Sequence, residues 1–527
     1  MSVHDLFDIR SQQASGGDSS ACGSPIQPRW TDALQAIDQI DYSPGREFEL
    51  NTQLRQAGFD ASTRAEILTQ AQLRVQAQEK FGDLASRMIF TRTGLEQATR
   101  HSIAQQHATH FATHGIHHVL EYGCGIGADS LAFARAGLQV SAIEIDEDTA
   151  MAAAYNVRSF PNAQVIHADA STLVSNTLLS SGDAPNLAHS SAVPPAVLRW
   201  DAATRRIQRF PLQNFSPAPS EADALWLDPA RRTNGRRLQS PEDWQPPLST
   251  AIILGEYFQA AGIKVAPGID YRHLPPHAFV QWISQRRELA EAVLWLGSAA
   301  PAPGRQAVII APHSSDAREF PPLPSRLDNA ARDAAGSYSA CCQPNDPAPY
   351  VEPGELQRFI IDPDPAIVRS GALAAYAQQQ RFHTVSANIA YLTGDHPASR
   401  EFGQSFTVLT TFPLNPKQIG KELRARGVTA VEIKKRGVDI SPETFRKQLK
   451  LGSSAAMYRQ RAEHTSAPAA PALPSDIAPS ERASSQSAHT RMNRPEPEHW
   501  PSTVTLIMTP LLGKRRAVLA VPAAPAS

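Results

Sequence analysis

Four acids and a run of alternating glycines hold the chemistry that can be read from this chain: Glu121, Glu144, Asp169, Asp228 and Gly123, Gly125, Gly127. The glycines follow Glu121 at every second position of Val119-Leu120-Glu121-Tyr122-Gly123-Cys124-Gly125-Ile126-Gly127, and Glu144 lies near the end of the next apolar run, Val140-Ser141-Ala142-Ile143-Glu144-Ile145-Asp146. Alternate glycines let a backbone pass close to a bound group, where a Cβ would clash. An acid about 20 residues after the first glycine stands at the usual distance for accepting hydrogen bonds from ribose hydroxyls. The pattern predicts a β-α-β unit that holds a nucleotide-like cofactor. Gly123, Gly125 and Ala128 also satisfy the dinucleotide pattern G-x-G-x-x-[GA]. Gly127 and Glu121 point elsewhere. A carboxylate two residues before the first glycine is out of place beside a pyrophosphate and suits a cationic amino-acid tail, which favours S-adenosylmethionine over NAD.

The elements that must position these residues follow from periodicity. Strand-like runs end near Gly123, Asp146, Asp169 and Pro229, and a fifth is Gly262-Ile263-Lys264-Val265-Ala266-Pro267. Strands alternating with helical stretches predict a parallel, doubly wound sheet. Phe279 to Ser284 and Ala292 to Leu296 are too close for a crossover helix, so they predict an antiparallel pair. Upstream, Thr63-Arg64-Ala65-Glu66 has the form of a capping box, followed by Ile67, Leu68, Ala71 and Val75 at helical spacing. Val197 to Trp200 and Arg206 to Phe210 could form a small hairpin.

With these motifs in order, the chain resembles the class I methyltransferases. Glu121-x-Gly123-x-Gly125-x-Gly127 is similar to their first motif and Glu144 to their ribose-binding acid. Gln164-Val165-Ile166-His167-Ala168-Asp169 resembles their third strand, whose terminal acid meets the adenine amino group, and Ala224-Leu225-Trp226-Leu227-Asp228-Pro229-Ala230-Arg231 resembles their fourth motif. The resemblance implies a Rossmann-like seven-stranded α/β core with an antiparallel final strand and S-adenosylmethionine as cofactor. Its cofactor-binding residues would be Glu121, Tyr122, Gly123, Gly125, Gly127, Glu144 and Asp169. The tail, with Tyr391-Leu392-Thr393-Gly394-Asp395 and Ile433-Lys434-Lys435-Arg436-Gly437-Val438, resembles the THUMP-like domain fused to bacterial methyltransferases. The whole is distantly similar to the cap guanine-N2, trimethylguanosine synthase-type enzymes.

At the fourth motif, exocyclic-amine methyltransferases carry Asp-Pro-Pro-aromatic, in which the acid and a carbonyl hold an amino group and the ring stacks on the base. Here the slot reads Asp228-Pro229-Ala230-Arg231, without the second proline or the aromatic. Asp228, Pro229 and Arg231 are the candidate catalytic residues: the acid accepts an N–H and orients a nitrogen lone pair, and an arginine plane can stack on a base in place of the ring. Some carbon-5 pyrimidine methyltransferases carry Asp-Pro-Pro-Arg, but they need a cysteine nucleophile. Cys22, Cys124, Cys341 and Cys342 lie in the N-terminal tail, the cofactor loop and an expected linker, so that mechanism is rejected. Arg231, Arg232, Arg236 and Arg237 place four guanidiniums beside the expected methyl donor, where they match phosphate geometry or, in the plainer reading, pair with Glu242 or Asp243 or face solvent. A second basic stretch runs from Lys417 to Arg461, with twelve lysines and arginines against four acids, and includes Lys434, Lys435 and Arg436. In a chain of net charge −1 that asymmetry suits phosphate-backbone contact. No cluster has metal-ligand spacing, and the histidines at 107, 110, 117 and 118 read as structural or solvent-facing.

A length of 527 residues implies several domains. Stretches rich in Ala, Pro and Ser, within a total of 43 prolines, divide it. The expected organisation is a disordered tail 1–29, a helical region 30–112, a methyltransferase domain 113–312 with an insertion at 171–221, a linker 313–348, and a THUMP-like domain 349–527 with a disordered insertion at 463–500. No segment approaches the roughly 20 apolar residues of a membrane span, and the N-terminus lacks a basic-then-apolar leader, so a cytoplasmic protein is expected. The expected function is methyl transfer to RNA, tRNA or rRNA, at a base nitrogen. The alternatives are methylation of an anionic small molecule and a non-catalytic RNA-binding protein that keeps the fold.

Overall fold

The computed structural model describes residues 29–171, 195–211, 221–233, 236–300, 302–310, 338–340, 344–348, 350–451 and 500–524. The tail to residue 28, most of the expected linker 313–348, the insertion 463–500 up to residue 499 and three of the cysteines lie outside these residues, as do the side chains of residues 232–237. The chain divides into two units, Met1–Ala348 with Pro365–Ala372, and Pro349–Asp364 with Leu373–Ser527.

Among the described residues the first unit begins with five α-helices: α1 (Arg29–Gln39), α2 (Glu47–Gln56), α3 (Ala61–Phe81), α4 (Arg92–Gln97) and α5 (His101–Thr113). The cap of α3 is not the Thr63 box. Asp60 accepts from the Ser62 and Thr63 amides at 2.9 and 3.0 Å, so the helix starts three residues earlier, because a carboxylate bonded to two orphan N–H groups out-competes a hydroxyl. Buried Arg74 on α3 donates to the Met88 and Ile37 carbonyls and to Asp38, tying the helical layer together.

The sheet follows: β1 (His118–Tyr122), α6 (Ala128–Arg135), β2 (Gln139–Glu144), α7 (Glu147–Asn156), β3 (Ala163–His167), the hairpin β4 (Ala196–Asp201) and β5 (Arg206–Pro211), β6 (Ala224–Leu227), a two-stranded ribbon β7 (Arg232–Thr233) and β8 (Arg236–Arg237), α8 (Leu248–Glu256), β9 (Ala260–Val265), β10 (Phe279–Gln285), β11 (Glu288–Gly297), β12 (Gly304–Ile310) and β13 (Tyr338–Ala340). Strand order is β13-β12-β10-β11-β9-β6-β1-β2-β3-β4-β5. Strands β1, β2, β3, β6 and β9 run parallel, and β11 is antiparallel to both β9 and β10. The middle seven strands are the expected class I core. The hairpin extends one edge beside β3. On the other edge β12 and β13 are additions that were not anticipated, and β13 falls inside the stretch read as a linker. Helix α9 (Pro365–Arg369) packs on β10 and β12 and belongs to this unit.

The layer under α5 is aromatic. Phe111 meets Trp226 and Trp295 edge-on at 6.0 and 5.1 Å, and the two indoles are 5.7 Å apart. Gly262 on β9 makes this possible: a Cβ there would come within 2.6 Å of Trp226 and 2.7 Å of Trp295. Side chains two apart on a strand share a face, so Lys264 emerges on the same side as Gly262, beneath α5.

The second unit is β14 (Phe359–Pro363), α10 (Leu373–Gln380), β15 (His383–Thr384), β16 (Leu392–Gly394), β17 (Gly403–Pro413), α11 (Pro416–Ala425), β18 (Ala430–Lys435), α12 (Pro442–Leu449), β19 (Thr503–Leu511) and β20 (Lys514–Pro522), in the sheet order β15-β16-β14-β17-β20-β19-β18. Both faces of β19 and β20 are buried, by alternation. Leu506, Met508, Ala517 and Leu519 join Ile419, Leu423, Phe445 and Leu449 of α11 and α12, while Ile507, Val518 and Ala520 join Phe406, Tyr391 and Val408. Among the described residues no helix is long and apolar enough to cross a membrane.

Candidate active site

The carboxyl edge of the parallel strands opens onto a cavity of about 1510 Å³, lined by residues from the glycine loop, the ends of β2, β3 and β6, and residues 91–99. That is larger than the roughly 300–1,000 Å³ of a typical small-molecule site, so a cofactor leaves room for an acceptor.

At the cofactor end, Gly123, Gly125 and Gly127 have φ of 78°, 56° and 80°, and the last is the left-handed N-cap of α6. Positive φ is what demands glycine here. No protein atom lies within 4 Å of a Cβ placed on Gly123 or Gly125, so the space over the loop is left to a ligand. The loop is braced from below by the Gly123 and Cys124 amides, which donate to the Ile143 carbonyl at 3.0 and 2.9 Å. Glu144 accepts from the amides of Gly125, Ile145 and Asp146 at 2.9, 2.9 and 3.0 Å. Burial pushes its carboxyl up against these three donors. The acid thus shapes the loop while it lines the cavity. Ile145 beside it is 56 % exposed, an apolar surface suited to a flat ring. Asp169 is held by Ser171, whose amide and hydroxyl donate to it at 2.9 and 2.6 Å, and burial, with the Asp169 charge added, pushes the Tyr122 phenol up to about 12.

Glu121 is buried at the foot of the loop and accepts from Ser130 Oγ at 2.5 Å. Burial, with the negative charge of Asp129 nearby, pushes its carboxyl well above the usual range. A positively charged ligand group supplies what this acid needs to ionise. Cys124 is buried and its thiol is raised well above its ordinary value by burial, so it is no nucleophile.

Residues 91–99 form a strap pressed onto the loop. A Cβ on Gly94 would come within 2.4 Å of Ile126, and Asn156 donates to the Ile126 and Ile89 carbonyls at 2.9 and 3.0 Å. Lys80 of α3 donates to the carbonyls of Leu95, Glu96 and Ala98 at 2.7, 2.7 and 2.9 Å, which satisfies the end of α4.

At the acceptor end Asp228 follows β6 directly and faces the cavity with Pro229, Ala230 and Arg231, opposite Gln245, Pro246, Pro247 and Thr250. Ala230 and Gln245 exchange backbone hydrogen bonds at 2.8 and 3.1 Å, which fixes the turn. Tyr122 is the single aromatic among the described lining residues, so no ring replaces the missing aromatic of the motif. The side chains of Arg232, Arg236 and Arg237 lie outside the description, and Arg231 lines the cavity.

Behind Asp228 lies an ion network whose other members the motifs did not reveal. Lys264 Nζ donates to Asp228 Oδ2 at 2.6 Å and to Thr99 Oγ1 at 2.9 Å, and lies 3.6 Å from Glu291 Oε2. Thr99 in turn donates to Asp129 Oδ2 at 2.7 Å, and His107 bridges Asp129 Oδ1 and Glu291 Oε1 at 2.8 and 2.7 Å. Burial pulls the His107 imidazole down, but Glu291 and Asp129 outweigh it and hold it at about 9, so the ring is cationic at neutral pH. Neighbouring His110 has no such partners and burial drives it to about 3, stacked 3.9 Å from Trp295. Among the described residues no group of acids, histidines and cysteines could hold a metal ion.

The remaining expected substrate residues are in the second unit. Lys434 and Arg436 lie 3.5 and 3.2 Å from Asp362, and Arg436 also covers the Tyr391 ring at 4.7 Å. Their charges are engaged internally; Lys435 is exposed.

Residues 403–462 match the THUMP domain-like family. An uncharacterised S-adenosylmethionine-dependent methyltransferase of Mycobacterium tuberculosis, from strains CDC 1551 and H37Rv, is 27% identical over 393 residues, covering 72% of this chain and 88% of its own. The crystal structure of a putative methyltransferase from Porphyromonas gingivalis W83 superposes with a TM-score of 0.54 over 99% of both chains, at 15% identity, a likeness of fold. Fold, loop and relatives define a class I methyltransferase that uses S-adenosylmethionine. Within that class, this chain carries a THUMP-like domain at its C-terminal end.

Proposed function

We propose that the enzyme methylates a base nitrogen of RNA, tRNA or rRNA. The observation that carries the RNA assignment is the surface of α11 and α12 within the THUMP-like match, where Lys417, Lys421, Arg446, Lys447 and Lys450 are exposed. Arg424 and Arg426 on the same stretch are taken by carbonyls of residues 449 and 450 and by Glu422. With exposed Lys435, these five are what the described part of the basic stretch offers a phosphate backbone. Bound S-adenosylmethionine supplies an electrophilic methyl group on a sulfonium that leaves as a neutral thioether. Asp228 accepts an N–H of the acceptor and keeps the lone pair aimed, and the proton is released to water. Pro229 shapes the turn, and Arg231 stacks on the base or meets its phosphate. Glu144 and Asp169 hold the ribose and adenine ends, and Glu121 faces the cationic tail.

RNA from a deletion strain, incubated with the enzyme and labelled cofactor, should gain one labelled nucleoside on digestion. Replacing Lys417, Lys421, Lys447 and Lys450 by Glu should lower RNA affinity at least about tenfold and flatten its dependence on log salt by roughly 0.7 per lost contact, with cofactor affinity unchanged. Unaltered RNA binding by that variant would sink the reading. Charge reversal is the sound test because truncation at residue 349 would strip α9 from the first unit.

A further inference from the structure

Of the charged groups behind the cavity, Lys264 is the one that bonds Asp228 directly. It sits on β9 in an otherwise apolar strand, its side chain 4 % exposed, and it is not part of the cavity wall. A lysine in that position costs desolvation that an aliphatic residue would avoid, so its retention has to be accounted for by what it holds. It holds Asp228. Of the carboxylates within its reach, Asp228 is the nearest, and at 33 % side-chain exposure it is also the one that opens to the cavity.

We infer that Lys264 is the positioning residue for Asp228: it fixes Oδ2 from behind and thereby presents Oδ1 to the acceptor nitrogen. A carboxylate at the end of a strand otherwise has two rotatable torsions and two equivalent oxygens. One short contact to a buried ammonium removes both freedoms, because the ammonium itself cannot move. Its immobility comes from the rest of the network. Thr99 Oγ1 accepts its second N–H, and Glu291 lies beside it. His107 then clamps Glu291 and Asp129 from α5, so three carboxylates are set against two cations in one buried cluster. Thr99 belongs to the strap over the cofactor loop and lines the cavity, so the same ammonium ties the acceptor end to the strap. An oxygen bonded to a buried ammonium is a fixed acceptor, which suits an acceptor nitrogen that is neutral before transfer and sheds its proton to water afterwards.

This inference rests on the reading of Asp228 as the acceptor's partner, and its test has one arm that needs no acceptor. Lys264→Met alone leaves three carboxylates facing His107 and can fail to fold. The companion Lys264→Met/Glu291→Gln removes one charge of each sign. Crystal structures of both variants and the wild type with S-adenosylhomocysteine should show Asp228 leaving its wild-type rotamer in the variants, with S-adenosylmethionine affinity by calorimetry within about threefold. Labelled transfer into a whole extract of the deletion strain, separated into RNA, protein and small molecules, should fall about 100-fold in kcat with KM for the cofactor unchanged, the loss expected when a reacting group is misplaced by about 1 Å. An Asp228 that keeps its rotamer in the folded double variant, or a kcat that falls only in step with cofactor affinity, would overturn the positioning role. If the wild type labels a fraction other than RNA, the RNA reading falls and the positioning role stands. If it labels none, the rotamer still decides.

Discussion

The two ends of the cavity are built by different means. The cofactor end is local: Glu121, the three glycines and Glu144 lie within one β-α-β unit, and their contacts run between that acid and backbone amides of the same segment. The acceptor end is assembled at long range, with Thr99, His107, Asp129, Asp228, Lys264 and Glu291 drawn from six separate places in the chain into one cluster of side chains. A backbone cradle tolerates loss of one donor, because its shape is set by φ angles. A buried ion cluster does not, since each removal strands a charge in a medium of low dielectric. Removing a group should therefore separate binding from transfer at one end and couple stability to transfer at the other.

The sharpest break is Asp228→Asn. Transfer should fall on the order of 10²–10³-fold, the scale of losing one preorganised polar contact at a reacting centre. Cofactor affinity by calorimetry should change little, since Asp228 is not part of the loop. Equal losses of binding and transfer would erase the distinction between the two ends.

Next in size is a pH dependence confined to the acceptor end. His107 has its folded-state value raised to about 9 by Glu291 and Asp129 despite burial, against about 6.5 unfolded. A raised value means that the folded protein holds the proton more tightly. The stabilisation is complete below about pH 6.5 and is lost as pH rises through about 9, on the order of 3 kcal/mol in all. Thermal unfolding followed from pH 6 to 10 should show the melting temperature declining across that window, and His107→Gln should abolish most of the decline while lowering stability at pH 6. A decline of the same size in the variant would place its origin elsewhere.

At the cofactor end, Glu144→Ala removes the acceptor of three amide hydrogen bonds and the expected ribose partner. Cofactor affinity should weaken by about 1.5–3 kcal/mol, roughly tenfold to 150-fold in Kd, with the melting temperature of the ligand-free protein lowered only slightly. A large loss of stability without ligand would mean that Glu144 serves the loop first and the ribose second.

How much of this was legible in the sequence follows the same division. Glycine spacing and the acid that follows it are local, so they survive in a linear pattern, and the seven central strands with their antiparallel member could be expected from run lengths and gaps. The ion network could not be, because no spacing rule joins Thr99 to Lys264 or His107 to Glu291. A signal was nonetheless present. Lys264 interrupts the apolar run Gly262 to Pro267, and Glu291 precedes the run Ala292 to Leu296, both on strands whose pattern implied burial. A charged residue in such a run demands a partner. His107, read from sequence as structural or solvent-facing, is that partner for Glu291. The pairing of the basic residues at 434 and 436 was hidden for the converse reason: their counter-charge, Asp362, lies some seventy positions away.

The mildest perturbation is the most discriminating. Thr99→Val keeps the volume of the side chain but removes the hydroxyl that accepts from Lys264 and donates to Asp129. Each lost contact leaves its partner with others: Lys264 retains Asp228 and Glu291, and Asp129 retains His107. The cost should be about 1 kcal/mol in stability, at the low end of what an unsatisfied buried polar group exacts. Transfer should fall only a fewfold, because Asp228 is held from Lys264 and not from Thr99. The strap that contains Thr99 is fixed separately by Lys80 and by the contact of Gly94 with Ile126, so cofactor affinity should hold as well. If Thr99→Val instead reduces transfer as severely as Asp228→Asn, the hydroxyl is what keeps the ammonium in place, and the acceptor end behaves as a single cooperative unit that reaches into the strap over the cofactor.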